Sequence, residues 1–219
     1  MEQSALSNNM LFLGMNEAEI KEALRLLEAR EKRYERGELI FHAGSLTSLM
    51  GIVLAGSVTV ESNDVWGNRT ILSHVGRNQV FAETYAFLRE EPLLVDVAAN
   101  EACHILFLRI DMLSAVEREL SNKLLANLLM ISAHKNLHLS GRSFHTSPKT
   151  IRGRVMSYLN SVLIQTGKQE FDLPFDRQQL ADYLNVERTA LSKELGKMQK
   201  DGLFTVRKNH FVVLRAEEA

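Results

Sequence analysis

The chain has 219 residues, of which 45% are hydrophobic and 24% are charged, and its formal net charge is −1 at pH 7. This composition is typical of a globular protein of one or two domains, and no apolar run approaches the length of a membrane span. The single cysteine, Cys103, excludes an intramolecular disulfide framework and an iron–sulfur cluster bound by several cysteines of the chain. The first ten residues lack the pattern of a signal peptide, so we expect a cytoplasmic protein.

Positive charge is concentrated toward the end of the chain. Residues 145–219 contain 12 Lys and Arg against 9 Asp and Glu, a net of +3. Residues 1–144 contain 14 against 18, a net of −4. The basic C-terminal segment fits a DNA-binding module, although an asymmetry this small does not assign one by itself.

The N-terminal part predicts one helix followed by a small β-structure. Asn16 is suited to cap a helix over residues 17–29, whose apolar residues recur at helical spacing. Six of the 12 glycines then lie between residues 37 and 76 and separate short apolar runs. This alternation of glycines and short apolar runs predicts a small barrel or jelly roll with a hairpin turn at 66–69. The predicted strands are 50–54, 57–61, 70–75 and 104–108.

A long helix is predicted from about residue 114 to residue 139, a stretch without Gly or Pro. A helix of about 25 residues would be about 38 Å long, more than one small domain needs. We therefore expect it to pair with a second copy as a coiled coil, with packing on its own barrel as the alternative. The predicted apolar seam consists of Leu120, Leu124 or Leu125, Leu128, Ile131 and Leu139.

Residues 140–149 are predicted to form a hinge, and residues 150–167 are predicted to form a further helix that ends near Gly167. Two short helices joined by a tight turn are then predicted within residues 176–198. Gly202 is placed to end the second of these helices. The runs 203–206 and 211–214 flank the basic tip of a predicted hairpin. Three helices followed by a basic hairpin are the pattern of a winged helix-turn-helix.

The helix pair has clear local signals. Asp176 and Gln179 form a capping box for the first helix, and Asn185 stands where the chain turns and tolerates a left-handed backbone. On the second helix the apolar residues Leu191, Leu195 and Met198 share one side. The other side is suited to a DNA major groove because it carries no carboxylate and no large apolar group. It consists of Arg188, Thr189, Ser192 and Lys193.

The order of these parts resembles the Crp–Fnr family of bacterial transcription regulators. The most specific segments are GIVLAGSVTV at 51–60, VFAE at 80–83 and DRQQLADYLNVERTALSKEL at 176–195. The resemblance implies an α+β protein with three parts. These are a jelly-roll-like β-roll sensor domain (1–113), a dimerisation helix with a hinge (114–144) and a winged helix-turn-helix domain (145–219).

The resemblance also implies roles in DNA binding. Arg188 matches the family's guanine-reading arginine, Thr189 and Lys193 match other DNA-facing positions, and Glu187 starts the same helix near the base edges. Gln178 matches a phosphate-contacting position, and Ser192 and the wing residue Lys208 complete the predicted set. The implied partners are double-stranded DNA, a second copy of the chain and, for an activator, RNA polymerase, with no membrane partner.

The effector site departs from the cyclic-AMP-binding pattern of the family. The usual Gly-Glu pair is Ala82 and Glu83 here, and the region 92–95 lacks the expected arginine. Because a buried phosphate would lose its bidentate partner, we expect an unknown small-molecule effector other than cyclic AMP, and no assigned cofactor. The predicted effector-binding residues are Glu83, Thr84, Tyr85, Leu93, Leu94 and Val95.

Some sequence features allow function classes other than a non-enzymatic regulator. His134 and His138 have a spacing able to ligate a metal, but no third ligand is apparent, so no metal site is predicted. Haem binding through histidine stays open because some relatives of this type use it. A metal enzyme of the cupin type and a regulatory subunit for another protein are further alternatives. Both leave the helix-turn-helix without a DNA-binding role.

Overall fold

The computed structural model describes residues 6–63, 66 and 69–214. The chain divides into two compact units, one of residues 1–68 and 73–136 and the other of residues 69–72 and 137–219. Among the described residues, none of the helices combines the length and the apolar character needed to cross a membrane.

The described residues form helices and strands in the following order, with two short 3₁₀ helices at Met10–Phe12 and Ile110–Ala115. The α-helices are α1 Glu17–Leu26, α2 Glu83–Leu88, α3 Arg118–Thr146, α4 Ile151–Thr166, α5 Arg177–Leu184 and α6 Arg188–Lys200. The strands are β1 Arg30–Tyr34, β2 Leu39–Phe41, β3 Leu49–Ala55, β4 Val58–Asn63, β5 Arg69–Val75, β6 Val80–Phe81, β7 Asp96–Ala99, β8 Cys103–Arg109, β9 Glu170–Asp172, β10 Phe204–Arg207 and β11 His210–Val213.

Eight strands form two four-stranded sheets, with strand orders β1-β8-β3-β6 and β2-β7-β4-β5. These strands belong to the N-terminal unit except for residues 69–72 of β5, which belong to the second unit. Aromatic side chains fill part of the core, and Phe81 makes edge contacts with Phe41 and Phe107 at ring-centroid distances of 5.9 and 6.4 Å. Gly51 lies under this cluster, where an added Cβ would be 2.2 Å from Phe81 Cζ. Only glycine leaves room for the ring at this point of β3.

The predicted first helix and four predicted strands are confirmed. Asn16 forms the capping box of α1 with Glu19, although the helix ends at Leu26 rather than residue 29, since Glu28 takes a left-handed conformation with φ 47°. The predicted strands correspond to β3, β4, β5 and β8. Strands β1, β2, β6 and β7 were not predicted; β1, for example, is the charged sequence REKRY on a sheet edge. The predicted turn at 66–69 falls partly on residues 67 and 68, outside the described residues.

For four residues of the predicted seam, pairing with a second copy is wrong, and the alternative, packing on the helix's own barrel, is confirmed. Leu120, Leu124, Leu128 and Ile131 are at most 7% exposed and lie in the core of their own N-terminal unit. Asn127 extends this attachment, because its Nδ2 donates to the carbonyl oxygens of Leu11 (2.8 Å) and Leu13 (2.9 Å). The exposed apolar residues of α3 include Leu129 and Met130, and also two residues of the predicted seam, Leu125 and Leu139.

The ends of the long helix also differ from the prediction. Residues 110–115 form the 3₁₀ helix, and α3 then runs from Arg118 to Thr146. The predicted hinge at 140–149 is therefore wrong for residues 140–146. Gly141 does not break the helix, since α-helical dihedrals are open to glycine at a modest cost in backbone entropy. Of α3, residues 118–136 belong to the first unit and residues 137–146 to the second.

The second unit contains α4, α5, α6 and the sheet β10-β11-β9. As predicted, α4 ends at Gly167, which takes the left-handed conformation, and Gly202 follows α6 with φ +76°. Strand β9 was not predicted; it pairs with β11 through Phe171 opposite Phe211. The core is apolar and aromatic, with Leu184, Leu191 and Met198 fully buried.

A buried histidine joins the end of α3 to this core. His145 is 6% exposed, its Nδ1 lies 3.1 Å from the hydroxyl of Tyr183, and its ring packs edge-on against Tyr158. Burial lowers the pKa of His145, and the nearby His138 and Arg142 lower it further. The folded protein therefore favours the neutral imidazole.

This environment predicts a loss of stability in mild acid. A histidine pKa that is lower in the folded state stabilises the fold above its unfolded value near 6.5, and this contribution is lost as pH falls through the folded value. Urea unfolding at pH 7.5 and pH 5 should therefore show a smaller pH dependence for His145→Phe than for the wild type. The exposed His134 on the same helix provides the control, and an equal change in His134→Gln would contradict the assignment to His145.

Candidate DNA-binding and effector sites

Local hydrogen bonds fix both the start of α5 and the turn that leads from α5 to α6. Asp176 Oδ1 accepts from the Gln179 amide at 2.8 Å, and Gln179 Oε1 accepts from the Asp176 amide at 2.9 Å, which confirms the predicted capping box. Asn185 ends α5 with φ 53°, the left-handed conformation predicted for it. Arg154 Nη1 on α4 donates to the carbonyl oxygens of Leu184 (3.0 Å) and Asn185 (2.7 Å). The start of α6 is thereby held at a defined angle to α5.

Helix α6 buries one side and exposes the other, as its sequence predicts. Leu191, Leu195 and Met198 are at most 2% exposed, and this anchors the helix to the core. Arg152 on α4 adds polar anchors, because its guanidinium binds Glu194 (2.8 Å) and Asp201 (2.6 Å). The four side chains predicted to face DNA are all exposed: Arg188, Thr189, Ser192 and Lys193.

Glu187 has a structural partner that the sequence reasoning did not anticipate. It is the N-cap of α6, and its carboxylate accepts from the amides of Thr189 (2.7 Å) and Ala190 (2.6 Å). These hydrogen bonds lower the pKa of Glu187. The carboxylate is thus engaged with the helix backbone, and contact with a base edge stays a prediction.

Three predicted DNA-binding residues from separate elements come together at one groove. Gln178 lies in the first turn of α5 and Arg188 begins α6. Lys208 stands at the tip of the hairpin of β10 and β11, the wing, with φ 58°. Together with neighbouring side chains they line a cavity of about 560 Å³. Its other lining residues are Pro174, Phe175, Asp176, Arg177 and Asn209. The groove brings together the cationic side chains of Arg177, Arg188 and Lys208, an arrangement that favours an anion such as a DNA phosphate.

Arg177 is the functional candidate that sequence reasoning missed. Its Nη2 donates to the carbonyl oxygen of Lys208 at 3.3 Å, and its Nη1 is buried with no hydrogen-bond partner among the described residues. Burial lowers the pKa of Arg177, and the charge of Arg188 acts in the same direction. A buried guanidinium nitrogen with no partner, beside a second cation, is a strong donor for an incoming anion. The sequence signal that could have indicated Arg177 is its position directly after the capping residue Asp176.

The predicted effector residues are only partly brought together. Glu83 is 6% exposed, and its carboxylate binds Lys135 Nζ on α3 and accepts from Thr84 Oγ1 at 3.4 Å. The Leu94 amide donates to the Tyr85 hydroxyl at 3.3 Å, whereas the Leu94 side chain is 76% exposed. Leu93 and Val95 are buried. The sequence did not predict that a lysine of the long helix would reach Glu83.

The described part of the chain does not provide a set of metal ligands around the histidines of α3. His134 and His138 are both exposed on α3. Within the described ranges, no three His, Cys, Asp or Glu side chains group closely enough to hold a metal ion.

Two family models match the chain. The model described as cyclic nucleotide-binding domain matches residues 31–118. The model described as Crp-like helix-turn-helix domain matches residues 153–219. The second match favours the DNA-binding interpretation of the C-terminal module over the enzyme and regulatory-subunit alternatives. No curated protein sequence matches the chain.

Solved structures show the same fold at low sequence identity. FixK2 from Bradyrhizobium japonicum is 19% identical with a TM-score of 0.67, over 86% of this chain and 94% of FixK2. The c-di-GMP-responsive global regulator CLP from Xanthomonas campestris is 18% identical with a TM-score of 0.71, over 91% of this chain and all (100%) of CLP. A CooA mutant from Carboxydothermus hydrogenoformans is 19% identical with a TM-score of 0.67, over 89% and 87% of the two chains.

The unpartnered nitrogen of Arg177 leads to a prediction about salt dependence. If Arg177 neutralises one phosphate, Arg177→Ala should weaken binding to all DNA sequences alike and reduce the slope of log affinity against log salt by about 1. Fluorescence anisotropy with labelled duplexes at several salt concentrations measures both quantities.

Two matched variants make this result interpretable. Arg177→Lys keeps the charge and should retain most of the slope. Arg25→Ala removes an exposed arginine that pairs with Glu22 on α1 and should leave the slope unchanged. A wild-type slope in Arg177→Ala, with normal folding by circular dichroism, would remove Arg177 from the phosphate-binding set.

Proposed function

Because this chain belongs to the Crp–Fnr family of transcription regulators, we propose that it acts as a homodimer that reads a two-fold symmetric DNA site. The observation that carries the proposal is the groove where Gln178, Arg188 and Lys208 meet, beside the exposed polar side of α6. In this scheme Arg188 and Lys193 contact guanine bases or phosphates in the major groove, with Thr189 and Ser192 as neutral hydrogen-bonding partners. Arg177, Gln178 and Lys208 hold the backbone and fix the register.

The exposed side of α3 supports pairing with a second copy. Leu125, Leu129 and Met130 are 38%, 72% and 40% exposed, and the small residues Ala126 and Ala133 lie exposed among them. An apolar strip with small residues on a helix suits close helix–helix packing, and its exposure in one chain is unfavourable in water. A dimer formed through this strip presents two recognition helices to half-sites about one helical turn apart, roughly 10 base pairs.

Control of transcription follows from DNA binding in this proposal. The family match and the buried Glu83 support the β-roll as the regulatory part, with Thr84, Tyr85, Leu93, Leu94 and Val95 around it. A dimer bound upstream of a promoter activates through contact with RNA polymerase, whereas one bound across a promoter represses.

The primary test is base recognition by Arg188. The wild-type protein selects its operator from a random duplex pool, and affinities for that operator and its single-base variants are then compared. Arg188→Ala should lose about 1–3 kcal/mol and relax the preference at one base pair of each half-site. Lys200→Ala, at the exposed C-terminal end of the same helix, serves as the control. Unchanged affinity and preference in Arg188→Ala would contradict the proposed role of this residue.

The dimer is tested separately through Leu129. Leu129→Glu places a charge in the centre of the exposed strip, so sedimentation velocity should show a monomer at concentrations where the wild type is a dimer. Leu46→Glu provides the matched control, because Leu46 is an exposed leucine (63%) outside α3. A wild type that sediments as a monomer, or a Leu129→Glu variant that stays dimeric, would rule out this strip as the interface.

A further inference from the structure

The ion pair between Glu83 and Lys135 lies among the predicted effector-binding residues, of which Glu83 is one. Glu83 begins α2, and its side chain is only 7% exposed, whereas the Lys135 side chain is 35% exposed. Lys135 Nζ binds Glu83 Oε2, and Thr84 Oγ1 donates to Oε1 at 3.4 Å. Both carboxylate oxygens therefore have partners supplied by the chain itself.

The burial of Glu83 makes this pair more than a surface contact. A carboxylate so far removed from water is strongly unfavourable unless a cation and hydrogen bonds compensate for the lost hydration. Lys135 supplies that compensation from α3, and its own partial exposure keeps the ammonium hydrated on one side. The pair consequently fixes α2 to the long helix within the N-terminal unit.

The backbone conformation at the two ends of α2 requires contacts that hold this helix in place. This six-residue helix is bounded by Ala82 with φ 61° and Arg89 with φ 61°, both non-glycine residues in a disfavoured backbone region. Strained residues of this kind persist only where surrounding contacts hold them. The Glu83–Lys135 pair at one end of α2 is one such contact. The hydrogen bond from Arg89 Nη2 to the carbonyl oxygen of Asp111 (3.2 Å) is another at the opposite end.

We propose that Lys135 is the built-in occupant of the effector site, so that this regulator binds its operator without a small-molecule effector. The ammonium gives Glu83 the hydrogen bond that a ligand would otherwise supply and holds α2 against α3 in the DNA-binding arrangement. This inference rests on the proposed function, because it describes how the regulatory β-roll acts on a DNA-binding dimer.

The proposal predicts how operator binding responds to the pair. Purified full-length wild type should bind the selected operator with no additive, and cyclic AMP should change the affinity less than about twofold. Lys135→Met should weaken binding by about tenfold, within the usual range of coupling between sites. Glu83→Gln should weaken it as well, and Lys135→Arg should restore most of the affinity because it keeps the cation.

Lys123 provides a matched control on the same helix. It forms an ion pair with Glu19 that joins α3 to α1 away from α2, with side-chain exposures of 34% and 25%. Lys123→Met should therefore bind the operator as the wild type does. Circular dichroism of each variant separates weakened DNA binding from failure to fold, and the Lys135→Arg and Glu83→Gln results still decide the question if Lys135→Met does not fold.

The outcomes separate this inference from the proposed function. Operator binding that is equal in the wild type, Lys135→Met and Glu83→Gln would overturn the built-in occupant and leave the DNA-binding proposal intact. A wild type that binds DNA only after an additive is supplied would do the same. A wild type that selects no DNA sequence under any of these conditions would overturn both.

Discussion

The burial of one apolar side of α3 is the constraint on which the rest of the molecule depends. Leu124 is fully buried and Leu128 is 7% exposed in the N-terminal unit, so this side cannot pair with another chain. Asn127 adds hydrogen bonds to the backbone of Leu11 and Leu13. The rotation of the helix about its own axis is thereby set. This rotation places Leu129 in solvent and brings Lys135 to Glu83.

Local contacts also fix the geometry of the helix-turn-helix. A left-handed residue at Asn185 allows a sharp turn, but it does not determine where α6 begins. That is set by the Glu187 cap and by Arg154, whose guanidinium binds the carbonyl oxygens at the end of α5. Preorganised helices lose little conformational freedom when they bind, so more of the contact energy is available for sequence discrimination.

The parts that the sequence predicted are those with local causes. The caps at Asn16 and Asp176, the turn at Asn185 and the glycine after α6 each depend on residues within a few positions. The long-range parts could not be found in this way. Strand β1 is charged and defined only by its pairing with β8, and the partner of Glu83 lies 52 residues away in the chain.

The misassigned seam of α3 has a specific physical reason. The helix carries apolar residues on two sides, and periodicity alone does not say which side meets the protein's own core. Leu124 and Leu125 are adjacent in sequence, yet one is fully buried and the other is 38% exposed. Only the position of the β-roll decides between them.

The proposed DNA contacts require that a chain with net charge −1 presents a locally positive groove. Binding depends on the local potential rather than the total charge, because charges beyond about a Debye length are screened in salt. Arg177, Arg188 and Lys208 belong to three different elements and converge on one groove, which Asp176 also lines. The Asp176 carboxylate accepts a hydrogen bond from the Gln179 amide and thereby caps α5. The fold thus creates a positive site from a sequence that is close to neutral.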